Sequence, residues 1–228
     1  MEFSILSESF NKMESTRKRL ELTQFLVELF EKTPHDVISK IVYLIQGKLR
    51  PDFEGIELGV SEKLVLRAAK KSLGINEKEI IEMLNKVGDL GTTISKVLER
   101  KTQTGLFDFV SDSEAHDESI FDTNSNTVEK IYEILWDISQ LEGAGKNVQD
   151  KKINFISSLW NKSKPTEVKF VTKLLLGTLR LGVAENTVMD ALAIAFTGDK
   201  DNRKKLQYAY NVSSDLGKVA ETAATKSL

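Results

Sequence analysis

The stretch "LGTLRLGVAENTV", from Leu176 to Val188, interrupts a run of strong helix formers. Two glycines, Gly177 and Gly182, stand on either side of a single arginine, Arg180. A helix that ends at glycine leaves carbonyl groups free, and the helix that follows begins with free backbone N–H groups and a partial positive charge. Such helix starts bind phosphate, and glycine keeps the approach to the amides open. The stretch therefore predicts a helix, a break that binds an anion, and a second helix.

A second copy of this pattern occurs earlier in the chain. The segment "LGVSEKLVLRAA", residues 58–69, matches "LGVAENTVMDAL", residues 181–192, at an offset of 123. Upstream, residues 47–50 match residues 177–180 at an offset of 130. The two offsets differ by seven residues because the segment 51–57 is present only in the first copy. A duplication of this kind predicts two pseudo-symmetric helical halves. The alternative is that two helical hairpins look alike without common origin.

The composition favours an all-helical protein in a reducing compartment. Three prolines in 228 residues, with many Leu, Ile, Lys and Glu, are typical of an all-α chain. Because there is no cysteine, a disulfide framework and a thiolate metal site are excluded, and we expect a cytoplasmic protein. No apolar run is long enough to span a bilayer, so no membrane partner is expected.

The apolar periodicity predicts about twelve helices. One is expected to begin at an N-cap at Ser15 or Thr16 and to place Leu20 on its apolar face. The next is expected to begin at Thr33, which is followed by the proline favoured in the first helical turn. A further helix is expected to begin at Ser61, as its N-cap.

A polar segment divides the predicted halves, about 1–101 and about 126–228. Residues 102–125 are expected to form a non-helical loop. Six acids and no Lys or Arg lie between Asp108 and Asp122, so the rest of the chain carries a net charge of +4 against −2 for the whole. The near-neutral average therefore permits a basic face elsewhere on the protein.

The two breaks together suit duplex DNA. Arg180 adds a positive charge that can bond to phosphate oxygens or enter a minor groove, and Arg50 and Gly59 offer the same groups in the first copy. Two such sites related by a pseudo-dyad match the two strands of a duplex, which are themselves related by a dyad. The alternative is that the glycines are ordinary helix stops and the arginines only solvate the surface.

Five motifs resemble the amino-terminal DNA-binding domain of ATP-dependent DNA ligases of the archaeal branch. In chain order they are "GIELGVSEKLVLRAA", "KVGDLG", "VQDKKINFISSLW", "KFVTKLLLGTLRLGVAENTVMDALA" and "YNVSSDLGKVA", and the resemblance extends from about Met13 to Ala220. In that family the domain is all-helical, has two pseudo-repeated halves, and grips the minor groove of nicked duplex on both sides of the break. The resemblance implies nicked double-stranded DNA as the partner, in replication, repair and recombination.

The resemblance also implies which residues contact DNA. The phosphate-contacting loop would contain Gly177, Thr178, Arg180, Gly182 and Ala184. "STRKRL" matches the family's basic helix start, and "GKNVQDKK" resembles another backbone-contacting segment; these add Ser15, Arg17, Lys18, Arg19, Lys146 and Lys152.

The sequence departs from complete ligases in lacking their catalytic motif. Those enzymes form an adenylated lysine within Lys-Xaa-Asp-Gly, and the nearest match here, residues 200–203, lacks the glycine. We therefore expect one DNA-binding domain over residues 1–228, without the nucleotidyltransferase and OB domains. It should have no catalytic or metal site and no cofactor of its own, whereas ATP and Mg²⁺ would serve the full-length ligase. The chain should not join DNA alone, and we expect a monomer associated with the prokaryotic nucleoid.

"QTGLFDFV", residues 103–110, resembles the motif by which replication proteins dock on the sliding clamp. In one tight helical turn Leu106, Phe109 and Val110 fall on the same side and can fill an apolar pocket, with Gln103 making polar contacts beside it. The alternative is that Leu106 and Phe109 only tuck the loop onto the domain. A second hypothesis for function follows, a helical protein-interaction scaffold that docks on the clamp.

Overall fold

The computed structural model describes residues 1–110, 126–143, 145–160 and 163–225, with only the backbone described for residues 102–110. Twelve α-helices and no β-strand occur in these ranges, which confirms the all-α prediction. The helices are α1 Phe3–Glu14, α2 Arg19–Glu31, α3 Ile38–Ile45, α4 Glu62–Leu73, α5 Glu77–Val87, α6 Leu90–Val110, α7 Val128–Ser139, α8 Lys146–Trp160, α9 Pro165–Leu175, α10 Glu185–Thr197, α11 Arg203–Ser213 and α12 Leu216–Thr225. None of them combines the length and the apolar character that a bilayer crossing needs.

The first helix, α1, was not predicted. It buries Phe3, Leu6, Phe10 and Met13, a spacing that puts all four side chains on one face. Its start is tied to the start of α7, because the Phe3 N–H donates to the Asn126 carbonyl over 2.8 Å. The amino-terminal segment is therefore part of the core.

The two sequence halves share one hydrophobic core. The most extensive helix packings are α2 on α10, α6 on α9, α3 on α12 and α4 on α8, and each joins a helix before residue 110 to one after residue 126. If six is added to each helix number, counting on from α12 to α1, the pair α2–α10 becomes α8–α4 and the pair α6–α9 becomes α12–α3. A duplicated six-helix unit would give this pattern, and the duplication itself stays an interpretation of the sequence.

The predicted start of α2 was wrong. The helix begins at Arg19, and the Ser15 hydroxyl instead donates to the Lys12 carbonyl at the end of α1 over 2.7 Å. The Thr16 hydroxyl accepts from the Lys18 N–H over 3.1 Å in the turn before α2. Leu20 is 81% exposed, so its placement on the apolar face was also wrong.

Two further boundaries differ from the predictions, and one agrees. Thr33 is not the start of α3: its hydroxyl donates back to the Leu29 carbonyl of α2 over 2.7 Å, and α3 begins at Ile38, after its N-cap Val37. The α4 helix begins after its N-cap Ser61, as predicted. The predicted loop at 102–125 was wrong for its first nine residues, because α6 continues to Val110; residues 111–125 lie outside the described part of the chain.

Candidate nucleic-acid interface

Residues 47–61, the first corner, and residues 177–184, the second corner, each join two helices through a glycine. Gly47 and Gly177 have φ values of +72° and +64°, the left-handed region in which glycine is favoured. In both corners the glycine N–H bonds to the carbonyl three residues back and the next N–H to the carbonyl five residues back, over 2.9 to 3.1 Å. The two matching sequence segments therefore end their helices with the same backbone hydrogen bonds.

The two corners lie side by side. A Cβ added at Gly47 would lie 3.8 Å from the Leu179 Cβ. A cavity of about 440 Å³ is lined by residues 47–49 and 56–61 of the first corner and by residues 174–177, the end of α9 with the first glycine of the second corner. The corners thus adjoin each other at the protein surface, which is the arrangement that a shared ligand requires.

The second corner exposes its arginine and its glycines. Leu179 and Leu181 are buried, so the residue between them, Arg180, is turned outward. The Arg180 Nη1 donates to the carbonyls of Gly177 (3.1 Å) and Leu179 (2.9 Å), and the guanidinium has more N–H donors than these bonds use. Within the described ranges Arg180 forms no ion pair with an acid.

The start of α10 adds unsatisfied backbone donors to this corner. Its N-cap, Ala184, has no side chain that could accept a hydrogen bond from the first turn. Gly182, with φ +71°, lies before it, and the Arg17 Nη1 is 3.2 Å from the position that a Cβ there would take. Two guanidinium groups and the positive end of a helix therefore meet at one exposed loop.

The first corner has the same elements in a different electrostatic setting. The Arg50 Nε lies 3.9 Å from the Glu54 Oε2, and the guanidinium stacks on Trp136, 5.2 Å from the ring centre. The Lys152 Nζ donates to the carbonyls of Leu58 (3.0 Å) and Gly59 (3.1 Å). Lys152 is buried, and this burial lowers its pKa.

Comparison with known proteins identifies the family. The sequence profile described as "DNA ligase N terminus" matches residues 2–193. The chain belongs to the DNA ligase N-terminal family. It is 61% identical over 228 residues to a DNA ligase of Nitrosopumilus maritimus and 54% identical to one of Cenarchaeum symbiosum. It is 42% identical over 226 residues to "DNA ligase 2" of Thermofilum pendens.

This ligase N-terminal chain is covered almost completely by these matches, at 99% to 100% of its length. It spans only 36% of the length of each of the three relatives. The archaeal sources agree with the resemblance inferred from the five motifs. No group of three or more His, Cys, Asp and Glu side chains that could hold a metal ion occurs in the described ranges.

The other predicted contact residues lie in several settings. Lys146 is exposed at the start of α8, and Lys18 is exposed but paired with Glu21 over 2.8 Å. The ammonium of Lys152 is occupied by the carbonyls of the first corner, so its predicted DNA contact stays a prediction. The clamp residues are in the last turns of α6, and their side chains lie outside the described part of the structure: Gln103, Leu106, Phe109 and Val110.

Sequence reasoning named Arg19 but missed the charged cluster to which it belongs, beside the second corner. Asp190 of α10 is buried, with its side chain 1% exposed, and the Arg19 Nη2 lies 2.7 Å from its Oδ2. Lys200 and Arg203 also approach it, each at 3.5 Å. At the offset of 123 that aligns the two copies, Asp190 matches Arg67, and this change of sign could have drawn attention to the position.

Proposed function

We propose that this chain binds duplex DNA at a nick, through the phosphate backbone and the minor groove, as the DNA-binding part of an ATP-dependent DNA ligase. Family membership supports the connection with ligases. The observation that carries the proposal is the adjacency of the two corners at Gly47 and Leu179. Each corner has an exposed arginine, Arg50 or Arg180, and each is followed by the start of a helix.

The chemistry of this surface suits phosphate better than base edges. Backbone amides and guanidinium groups at a glycine corner donate hydrogen bonds, and the guanidinium groups also carry positive charge. Phosphate oxygens accept these hydrogen bonds, and their negative charge is attracted to the guanidinium groups. Neither kind of group distinguishes one base pair from another when it contacts only the backbone. Binding should therefore depend weakly on sequence and steeply on salt.

The joining chemistry belongs, in this proposal, to the remaining length of the full ligase. ATP and Mg²⁺ would act there, because the sequence contains no Lys-Xaa-Asp-Gly motif whose lysine could be adenylated. The part played by this chain would be to hold the nicked duplex during replication, repair and recombination.

The proposal is tested by fluorescence anisotropy on labelled nicked and intact duplexes across a salt series. The Arg180→Ala variant should bind every duplex about tenfold more weakly and lower the slope of log K against log salt by about one. Lys86→Ala is the matched control, because Lys86 is exposed on α5, a helix that belongs to neither corner, and should change neither quantity. Unchanged affinity and slope for Arg180→Ala would contradict the proposal.

The alternative function, docking on a sliding clamp as a protein-interaction scaffold, rests on the motif in residues 103–110. The α6 backbone is helical as far as Val110, but the side chains of the motif are not described. The clamp interaction and the monomeric state therefore stay predictions of the sequence.

A further inference from the structure

One buried carboxylate beside the second corner is shared by three cations. The Asp190 Oδ2 accepts a hydrogen bond from the Arg19 Nη2 at 2.7 Å and lies 3.5 Å from the Lys200 Nζ. The Asp190 Oδ1 is 3.5 Å from the Arg203 Nε, is buried, and has no hydrogen-bond partner in the structure as described. A single negative charge therefore lies between cations from two distant segments of the chain, the start of α2 and residues 200–203.

The cations outnumber the acids and remain accessible. The side chains of Arg19, Lys200 and Arg203 are 59%, 55% and 34% exposed, although the acid beneath them is buried. Lys200 and Arg203 border an open cavity of about 400 Å³, lined by Asp190, Lys200, Asp201, Arg203, Lys204 and Gln207, and Arg19 reaches the same carboxylate from α2. With Lys204 included, four cations face two acids. The carboxylate that these cations contact is fixed in position, because Asp190 is a buried residue of the α10 helix.

The cluster continues the surface of the second corner. The α10 helix begins at Glu185, so Asp190 lies about 8 Å along the axis from that start. The start of α2 and the turn before it run beside α10, with Arg17 near Gly182 and Arg19, the first residue of α2, at Asp190. A phosphate backbone that leaves the corner along α10 would therefore reach these cations next.

The matched position in the other copy carries the opposite charge. Arg67, which matches Asp190 in the aligned repeat, pairs with Asp150 at 3.2 Å, and both side chains are about half exposed. That pair is neutral. The buried carboxylate that several cations share on α10 therefore has no counterpart at residue 67 of α4.

We propose that Arg19, Lys200 and Arg203 form a second phosphate-binding site for duplex DNA and that Asp190 is its positioning residue. The proposal rests on the DNA-binding function proposed above and extends the interface from the second corner along α10 to α11. Asp190 restricts long side chains that would otherwise lose rotamer freedom when they bind phosphate. Its own charge is outweighed by the cations that it gathers.

The proposal predicts that Asp190→Asn weakens DNA binding, although it removes a negative charge. Removing a negative charge near DNA should tighten binding if only the net charge matters. If Asp190 positions the cations, the nearly isosteric amide should weaken binding to nicked duplex about threefold and make the salt dependence shallower. Asp150→Asn is the matched control, because Asp150 is also a carboxylate paired with an arginine, and its loss should not weaken binding.

The experiment measures anisotropy of labelled nicked duplex across a salt series for Asp190→Asn, Asp150→Asn and Lys200→Ala, with thermal unfolding as the check of folding. Lys200→Ala, an exposed position, should bind about fivefold more weakly and reduce the salt slope by about one. If Asp190→Asn does not fold, the Lys200→Ala slope decides the question. Tighter binding by a folded Asp190→Asn, or an unchanged slope for Lys200→Ala, overturns the proposal. Loss of binding in Arg180→Ala with none in Lys200→Ala would leave the proposed function standing and reject only this second site.

Discussion

In the first corner Arg50 lies 3.9 Å from Glu54, and the Ser61 side chain accepts a hydrogen bond from the first turn of α4. In the second corner Arg180 has no acid partner among the described residues, and α10 begins at Ala184 without a side-chain cap. The backbone hydrogen bonds that end the preceding helices are the same. A shared backbone geometry is therefore compatible with two different electrostatic settings, one partly neutralised and one open.

The inserted segment and the nearby cations account for the difference. Residues 51–57 add a short 3-10 helix, Asp52–Glu54, whose acids face the Lys48 and Arg50 cations of the same corner. The second corner lacks this insertion. Its neighbouring cation, Arg17, is exposed, whereas the cation beside Gly59, Lys152, is buried against carbonyls. The cation at the first corner, Lys152, is buried and stabilises the corner by hydrogen bonds to its carbonyls, whereas the cations at the second corner, Arg17 and Arg180, are exposed to solvent.

The largest expected effect is a difference in stability between variants of the two cations that lie beside the corners, Lys152 at the first and Arg17 at the second. Lys152→Met should lower the free energy of unfolding by about 2 kcal/mol, because two charge-assisted hydrogen bonds to the Leu58 and Gly59 carbonyls are lost. Arg17→Ala should change it by less than about 0.5 kcal/mol, because Arg17 is exposed and in no ion pair with a described acid. Urea denaturation of both variants measures the difference. Equal losses of stability would remove the distinction between a supported and an exposed corner.

A smaller effect tests whether Glu54 neutralises Arg50. Glu54→Gln should tighten binding to nicked duplex about twofold. A surface ion pair of 3.9 Å neutralises only part of the Arg50 charge, so removing the acid increases the attraction of Arg50 for phosphate only modestly. The control is the same substitution in an Arg50→Ala background, where no tightening should remain. If the gain persists without Arg50, Glu54 acts by general repulsion of DNA, and the corners do not differ in the way described.

Local sequence was sufficient for the corners themselves. The glycines at 47 and 177 and the alternation of Leu179, Arg180 and Leu181 specify left-handed turns and an outward arginine without reference to distant residues. The same holds for the cap at Ser61. These features depend on neighbours within a few positions, which is why sequence patterns predicted them.

The supporting charges could not be predicted in this way. Asp190 contacts Arg19, 171 positions away, and Lys152 contacts the Gly59 carbonyl, 93 positions away. No local periodicity contains such pairings, because they follow from the packing of α2 on α10 and of α4 on α8. The helix α1 is a different case, since the spacing of Phe3, Leu6 and Phe10 does predict an amphipathic helix and was overlooked.

The smallest expected effect concerns two exposed apolar residues, one associated with each corner. Phe53 of the inserted segment is 66% exposed, and Leu20, next to the arginine that pairs with Asp190, is 81% exposed. Because neither side chain is packed in the core, Phe53→Ser and Leu20→Ser should each change the free energy of unfolding by less than about 0.5 kcal/mol. Leu22→Ser, two residues along α2 and 3% exposed, is the buried control and should cost several times more. A loss for Leu20→Ser comparable with that of Leu22→Ser would show that the start of α2 is packed more tightly beside the second corner than its exposure indicates.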